Sequence, residues 1–300
     1  MRVDPFYVTN LAASLDQTQS TEQQLTAELS SGAAINSLSD NPVAAGENAL
    51  LLNQIQRDDS FTQSSGLVQG QLQVADSAMG GVVTQLTQAI SIATGANNGT
   101  LNTSQLQSIS NQLAGIRDEV VSLANTSYQG QYIFGGSQTS AMPFTISSST
   151  TPSTATYNGD QVVNYLETPN GQRIQLNLPG TQIFPTSGSD SALQALNNLI
   201  ADYANGASVQ TSTSDTEALN TALNFISQQR VTLDNSLTRL TAASNAATSE
   251  KTQLTAAQTN LMQADLPQIS TQLSLCESQQ TALEDVIAQL GSGSLFDKLS

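Results

Sequence analysis

Met262, Leu266, Ile269, Leu273, Cys276, Gln280, Leu283, Ile287 and Leu290 follow one another at alternating intervals of four and three residues. All but Gln280 are apolar or cysteine. A stripe of that period runs along one side of an α-helix. It is too narrow to face a thick core, so it demands a second helix alongside. Leu11, Leu15, Thr18, Glu22, Leu25 and Leu29 repeat the spacing near the other end, with two polar lapses. Matching stripes at both ends are accommodated most simply when the chain folds back and the ends pair. The expected fold is mainly α: a long antiparallel helical hairpin or bundle whose N- and C-terminal helices pair as a coiled coil.

The same period continues inward. Val68, Leu72, Ala75, Met79, Val82, Leu86, Ala89 and Ala93 predict a long second helix, and Leu106, Ile109, Leu113, Ile116, Val120 and Leu123 a third. Gly32 ends the first helix in the left-handed region. Asn41 and Pro42 start the second, as N-cap and first helical residue. Gly66, Gly70, Gly80 and Gly81 lie inside it. Each costs about 1 kcal/mol against Ala, so this helix depends on packing. Gly95–Thr100 reads as a turn.

Between about residues 130 and 186 the period switches. Ile174, Leu176 and Leu178 alternate with polar residues as in a strand, and Asn158-Gly159 and Asn170-Gly171 are hairpin turn signals. Ser147–Thr156 reads as an exposed loop. This predicts a small β-rich insert at the distal tip, one the helices fold without. Helices resume at Leu193, Leu196, Ile200 and Tyr203, and a Ser/Thr/Asp linker spans Ser208–Asp215. Leu219, Leu223, Ile226, Arg230, Leu233, Leu237 and Leu240 lead the longest helix towards Leu261. Pro267 breaks the pattern, with Asp265 as cap of a new start that holds the proline in its first turn.

Composition removes whole classes of function. Eight Lys and Arg against 24 Asp and Glu leave a net charge of −16, which argues against nucleic acid and against an anionic membrane surface. No run of about 18 apolar residues exists to cross a membrane. Near Met1 no apolar stretch of about 7–15 residues reads as a Sec-type signal, so the expectation is a cytosolic protein or export by another route. With no His and one Cys, His-based triads, the usual His/Cys zinc sites and internal disulfides are excluded. Aromatic residues are 4 % and Trp is absent, which disfavours an aromatic-walled pocket. No catalytic, cofactor-binding or metal residue is assigned. Asp58-Asp59 and Glu284-Asp285 read as solvated helix faces, since no calcium-loop spacing surrounds them. Cys276 reads as a small buried hydrophobe. Gly291-Ser-Gly-Ser294 lacks the lysine of a phosphate loop, and Asn98-Gly-Thr100 and Asn125-Thr-Ser127 match only a short glycosylation pattern.

The segment Leu29–Pro42, with Ser31, Gly32, Ile35, Asn36, Asp40, Asn41 and Pro42, resembles the signature that joins the two N-terminal helices of bacterial flagellins and flagellin-like junction proteins. Ala33 and Ala34 stand where a basic residue usually follows the glycine. Gln129–Thr139 followed by Pro143-Phe144 is similar to the segment where the junction proteins leave their helical core. Tyr157–Asp160 and Leu178–Phe184 are similar to their insert. Ala264-Asp265-Leu266, the C-terminal stripe and Ser294–Leu299 complete a resemblance to the hook-associated branch of the flagellin superfamily.

The resemblance implies a structural role, not an enzyme. It implies a ring homo-oligomer between hook and filament, with the first hook-junction protein on one side and flagellin on the other. An export chaperone would escort the chain through the flagellar type III apparatus to the cell exterior. Residues 1–40 with 262–300 are then expected to form a terminal assembly domain. Residues 41–136 with 187–261 form a helical rod and 137–186 the insert. The terminal stripes serve either as an ordinary internal core or as the assembly interface, with Leu11, Leu15, Leu25, Leu29, Met262, Leu266, Ile269, Leu273, Cys276, Leu283, Ile287 and Leu290 in it. A filament subunit proper and an unrelated secreted coiled-coil adhesin remain the alternatives.

Overall fold

The computed structural model describes residues 5–97, 100–147, 154–185, 191–206 and 209–292. In chain order the elements are α1 (Pro5–Ser31), α2 (Pro42–Ala96), α3 (Thr103–Ala124), β1 (Ser127–Tyr128), β2 (Gln131–Tyr132), β3 (Phe144–Ser147), β4 (Thr154–Tyr157), β5 (Tyr165–Glu167), β6 (Arg173–Gln175), α4 (Gly180–Ile183), α5 (Ala192–Asn205), α6 (Val209–Met262) and α7 (Leu266–Ser292). The fold is mainly α, and the strands form three separate antiparallel pairs, β1–β2, β3–β4 and β5–β6. Residues 1–57 with 250–300 make one compact unit, here the terminal unit, and residues 58–249 make the central unit.

The central unit has one contiguous core. Leu72, Ala75, Met79, Val82, Leu86, Ala89 and Ala93 of α2 are all buried in it, as their spacing predicts. Leu113, Ile116 and Val120 of α3 join them, as do Leu193, Leu196, Leu199, Ile200 and Tyr203 of α5. On α6, Leu219, Ile226, Leu233, Leu240 and Ala247 are buried at strict seven-residue intervals. Each large apolar side chain removed from water contributes about 1.5–3 kcal/mol, so this layer supplies what the glycine-bearing α2 lacks in propensity. Arg230, which falls on the apolar stripe of α6, reaches across to Asp76 of α2 with Nε–Oδ1 2.8 Å and Nη2–Oδ2 3.1 Å.

Caps set several ends. Asn102 and Gln105 form a reciprocal capping box on α3. Ser191 accepts from the Gln194 N–H at α5, whose far end closes on Gly206 in the left-handed region. The expected linker Ser208–Asp215 is instead helical from Val209. Ser212 and Thr216 are buried there and the Thr216 hydroxyl donates to the Ser212 carbonyl, so tertiary packing overrides weak propensity.

Two glycines of α2 behave oppositely. A Cβ on Gly70 would run into the Tyr128 hydroxyl, whereas one on Gly66 would meet open space. Gly66→Ala is expected to raise stability by about 0.5–1 kcal/mol and Gly70→Ala to give no such gain. Thermal unfolding of the two variants side by side checks this.

The β-rich insert is not an appendage. Ile133, Phe134, Phe144, Ile174, Leu178, Ile183 and Phe184 belong to the same buried cluster as the helices. Phe134 and Phe184 pack edge to face at 6.0 Å, and Phe144 and Phe184 at 5.6 Å. Asn125, at the end of α3, holds the Phe144 backbone with both amide atoms, each at 2.8 Å. Asp160 accepts from the Ser137 hydroxyl and N–H and from the Val162 N–H, which hold its carboxyl below its ordinary range.

Of the two Asn-Gly turn signals, one joins a strand pair. Asn170-Gly171 does join β5 to β6, with Gly171 at φ +77°. Asn158-Gly159 instead follows β4, where the Asn158 N–H donates to the Pro143 carbonyl. Part of the stretch expected as a loop is β4 itself, paired with β3, because Phe144 and Tyr157 meet across the pair. Leu176 and Leu178 lie beyond β6. Residues 148–153, Asn98, Ser208 and 293–300 are outside the described residues.

Candidate assembly interface

The terminal unit is built on two helix breaks lying side by side. At the first, α1 stops because Gly32 takes φ +69° and its N–H closes on the Glu28 carbonyl at 2.9 Å. The second falls at Gln263–Asp265. There Asp265 accepts from the Gln268 N–H at 3.1 Å and caps α7, leaving Pro267 in the first turn, where it interrupts no hydrogen bond. The two breaks are clipped together. Ala34 N–H donates to Met262 O at 2.7 Å, Ala264 N–H donates to Gly32 O at 3.1 Å, and Ala33 and Gln263 form an antiparallel bridge.

The link from Gly32 to α2 is organised by one carboxylate. Asp40 Oδ2 accepts from the Asn36 and Ser37 N–H groups at 3.0 and 2.7 Å, and Oδ1 accepts from the Ser37 hydroxyl at 2.7 Å. These bonds, the Ser37 hydroxyl foremost, hold the Asp40 carboxyl below its ordinary range. Their contribution is present above that range and is lost as pH falls through the lowered value. Asn41 then accepts from the Ala44 N–H at 3.1 Å and caps α2, with Pro42 first in the helix. Ile35 is half-buried, and Ser31, Gly32, Asn36, Asp40, Asn41 and Pro42 are exposed.

Beyond the clip, α1 and α7 run antiparallel. Leu25 packs with Ile269 and Ala264, and the Cys276 thiol donates to the Thr18 carbonyl at 3.3 Å. Leu11, Leu15, Thr18, Glu22 and Leu25 are the stripe of α1 withdrawn from water, and on α7 Ile269, Leu273, Cys276, Gln280, Leu283 and Ile287 are withdrawn in the same way. The stripes read from the sequence are thus turned towards each other inside one chain. Two of the stripe residues depart. Leu29 and Leu266 are 38 % and 45 % exposed. Met262 is half-buried at the end of α6. The side chain of Leu290 lies outside the described residues.

This pairing leaves the terminal unit with a thin core. Its buried cluster is Leu25, Ala264 and Ile269. Meanwhile Leu38, Val43 and Leu50 are 75 %, 74 % and 67 % exposed, and Leu275 and Val286 of α7 also face outward. Leu275, Ala282 and Val286 form a second stripe beside the first. The signal for it was in the sequence, since 275, 282 and 286 keep the same heptad intervals. Among the described residues no cluster of His, Cys, Asp and Glu is grouped to hold a metal ion, and no helix is long and apolar enough to cross a membrane.

The family model for the bacterial flagellin N-terminal helical region matches residues 7–139, which span α1, the Gly32–Pro42 link, α2, α3 and the start of the insert. Over that stretch, which is somewhat less than half of its length, the chain is similar to flagellins. The chain is 28 % identical to flagellar hook-associated protein 3 of Salmonella typhimurium over 179 residues, 59 % of its own length and 54 % of that protein's. It is 32 % identical to flagellar hook-associated protein 3 of Escherichia coli over 119 residues, 39 % and 37 % of the two lengths. The chain thus spans about half, or less, of the relatives it matches. A crystal structure of flagellar hook-associated protein 3 from Legionella pneumophila shares the fold, with a TM-score of 0.62, 13 % identity, and coverage of 71 % of this chain and 98 % of that one.

Proposed function

We propose that this chain is a structural subunit of the bacterial flagellum that joins hook to filament, and that its terminal unit is the assembly element. The observation that carries the reading is the imbalance in that unit: one small buried apolar cluster, Leu25 with Ala264 and Ile269, against a set of strongly exposed leucines and valines. Two helices of 27 residues each, held by one narrow seam, gain further walls only from neighbours. Likeness to proteins named flagellar hook-associated protein 3 supports the location. The subunits form a closed ring, with the first hook-junction protein on one side and flagellin on the other. A chaperone accompanies export through the flagellar type III apparatus. In this reading the seam residues Leu11, Leu15, Leu25, Ile269, Leu273, Cys276, Leu283 and Ile287 pair α1 with α7. The outward Leu275 and Val286, with Leu29 and Leu266, meet the neighbouring subunit.

Electron microscopy of a deletion strain tests this. Hooks without filaments, with flagellin shed to the medium, are the expected result. Filament loss with no shed flagellin would mean that the chain is the filament subunit itself, and normal filaments would mean an unrelated adhesin. In the complemented strain, Leu275→Asp with Val286→Asp should abolish incorporation while the secreted protein keeps its helix content, because these side chains face outward already. Normal swimming by that double variant would sink the outward face as the contact.

A further inference from the structure

Residues 58–249 carry four arginines against twelve Asp and Glu. Two of the arginines are engaged inside the fold, Arg117 by Asp118 and Arg230 by Asp76. The other two stand together at the surface. Arg173 of β6 and Arg239 of α6 are both exposed, and Arg239 Nη2 donates to the Arg173 carbonyl at 3.3 Å. Glu167 sits opposite Arg173 on the β5–β6 pair, yet the Arg173 guanidinium lies over the Tyr165 ring, 4.4 Å from its centre. Among the described residues neither arginine forms an ion pair. Tyr165 is itself 46 % exposed. Ile174 beside Arg173 and Leu240 beside Arg239 are buried, so both arginines stand on rigid elements. The face is net positive with an aromatic floor, on a unit that is otherwise acidic. Arginine and tyrosine are among the side chains that most often carry protein contacts.

The same unit bears a complementary face. Asp118 and Glu119 of α3 and Asp215 and Glu217 of α6 are linked through α5: Arg117 donates to Asn197 Oδ1 and Asn198 to Asp215 Oδ1, both at 3.3 Å. Glu119 and Glu217 are exposed, and so is the Asp118 side chain at 57 %. Asp215 and Arg239 lie 24 residues apart on the one helix α6, about 36 Å at a rise of about 1.5 Å per residue. That is several screening lengths, so neither face neutralises the other within one copy. We propose that the Arg173–Tyr165–Arg239 face docks the carboxylates around Asp215 and Glu217 on a second copy of this chain. The contact rests on the reading of the chain as a self-assembling flagellar subunit. Two different faces that meet make a head-to-tail contact, the kind that closes into rings or runs on as a helix. Exposed ion pairs are individually weak. Their part is to select which faces meet, and each subunit repeats it.

Sedimentation of the full chain at low and high salt tests the contact. The wild type should self-associate at low ionic strength and less so as salt rises. Arg173→Glu with Arg239→Glu should weaken that association about ten-fold or more. Asp215→Lys with Glu217→Lys should do the same, and this second variant leaves the Arg239 bond to β6 untouched. A chain with all four substitutions should regain the salt-sensitive association, because both faces are then reversed. Two double variants that sediment as wild type, or four substitutions that restore nothing, would overturn the docking face. In the deletion strain, the Arg173→Glu, Arg239→Glu chain should leave hooks bare of filaments, and the four substitutions together should bring filaments back. Bare hooks with unaltered sedimentation would mean that another flagellar protein occupies this face, which ends the proposal of a second copy. Normal filaments in the deletion strain itself, with reversal and rescue intact in sedimentation, would remove the flagellar reading and leave the contact standing.

Discussion

Replacing residues 137–186 by a short Gly/Ser linker will abolish cooperative unfolding of the central unit and strip helix signal well beyond the deleted residues. The deletion removes Phe144, Ile174, Leu178, Ile183 and Phe184, all buried in the cluster that α2, α3, α5 and α6 share. Truncating one buried Phe to Ala typically costs about 3–5 kcal/mol. Losing five large core residues at once exceeds the roughly 5–15 kcal/mol by which a domain is stable. The deletion also frees Asn125 from Phe144 and leaves Phe134 without its edge-to-face partner. Far-UV and tyrosine circular dichroism through a thermal ramp measure the outcome. A sharp transition with the helix signal retained would show that the helices hold themselves, as the period switch alone implies. Phe144→Ala is the milder control and should lower stability by about 3–5 kcal/mol while leaving the unit folded at low temperature.

Ile269→Asp will part α1 from α7. Ile269 is 5 % exposed and packs on Leu25 and Ala264, which with it make up the buried cluster of the terminal unit. The substitution forfeits about 1.5–3 kcal/mol of apolar burial and sets a carboxyl where it has no partner, which costs several kcal/mol more. A lone helix of 27 residues with many Ser, Thr, Gln and Asn has little stability of its own. The expected readout is loss of much of the helix signal of both terminal helices and early proteolytic cleavage within residues 5–31 and 266–292. The tyrosine signal of the central unit should be unchanged, because its core is a separate cluster. Ile269→Val should cost about 1 kcal/mol, and Gln280→Leu, at the polar seam position, should tighten the pair. Unchanged proteolysis of the Asp variant would mean that something other than this seam holds α1 and α7.

Much of the fold was legible because its signals are local. A 4/3 stripe such as Leu72 to Ala93 is complete within one helix, and it is buried as read. The ends at Gly32, Asn41-Pro42 and Asp265-Pro267 are set by a glycine's left-handed φ and by side chains that reach only two or three residues along. Weak segments depart from their local signal where packing supplies what propensity lacks: Val209–Asp215 is helical because Ser212 and Thr216 are buried, and Thr154–Tyr157 is a strand because Phe144 packs on Tyr157. Of the candidate interface, the stripe residues were legible, but their partner was not. A heptad seam specifies that a helix must be covered, and by a surface of what shape, yet says nothing about which chain provides it.

The sequence by itself determined the helical period, the places where helices stop, the strongly acidic surface and the absence of histidine chemistry. Each follows from residue types within a turn or two of one another, or from their sum. Only the tertiary structure decided that the insert shares the helical core, that Ala33 and Gln263 clip the two breaks together, and that α1 and α7 cover each other's stripes and turn Leu275 and Val286 outward. Those contacts join segments separated by loops and whole helices. Closing a loop costs entropy that depends only weakly on its length, so spacing along the chain does not select the partner, and the shape of the apolar surfaces once packed does.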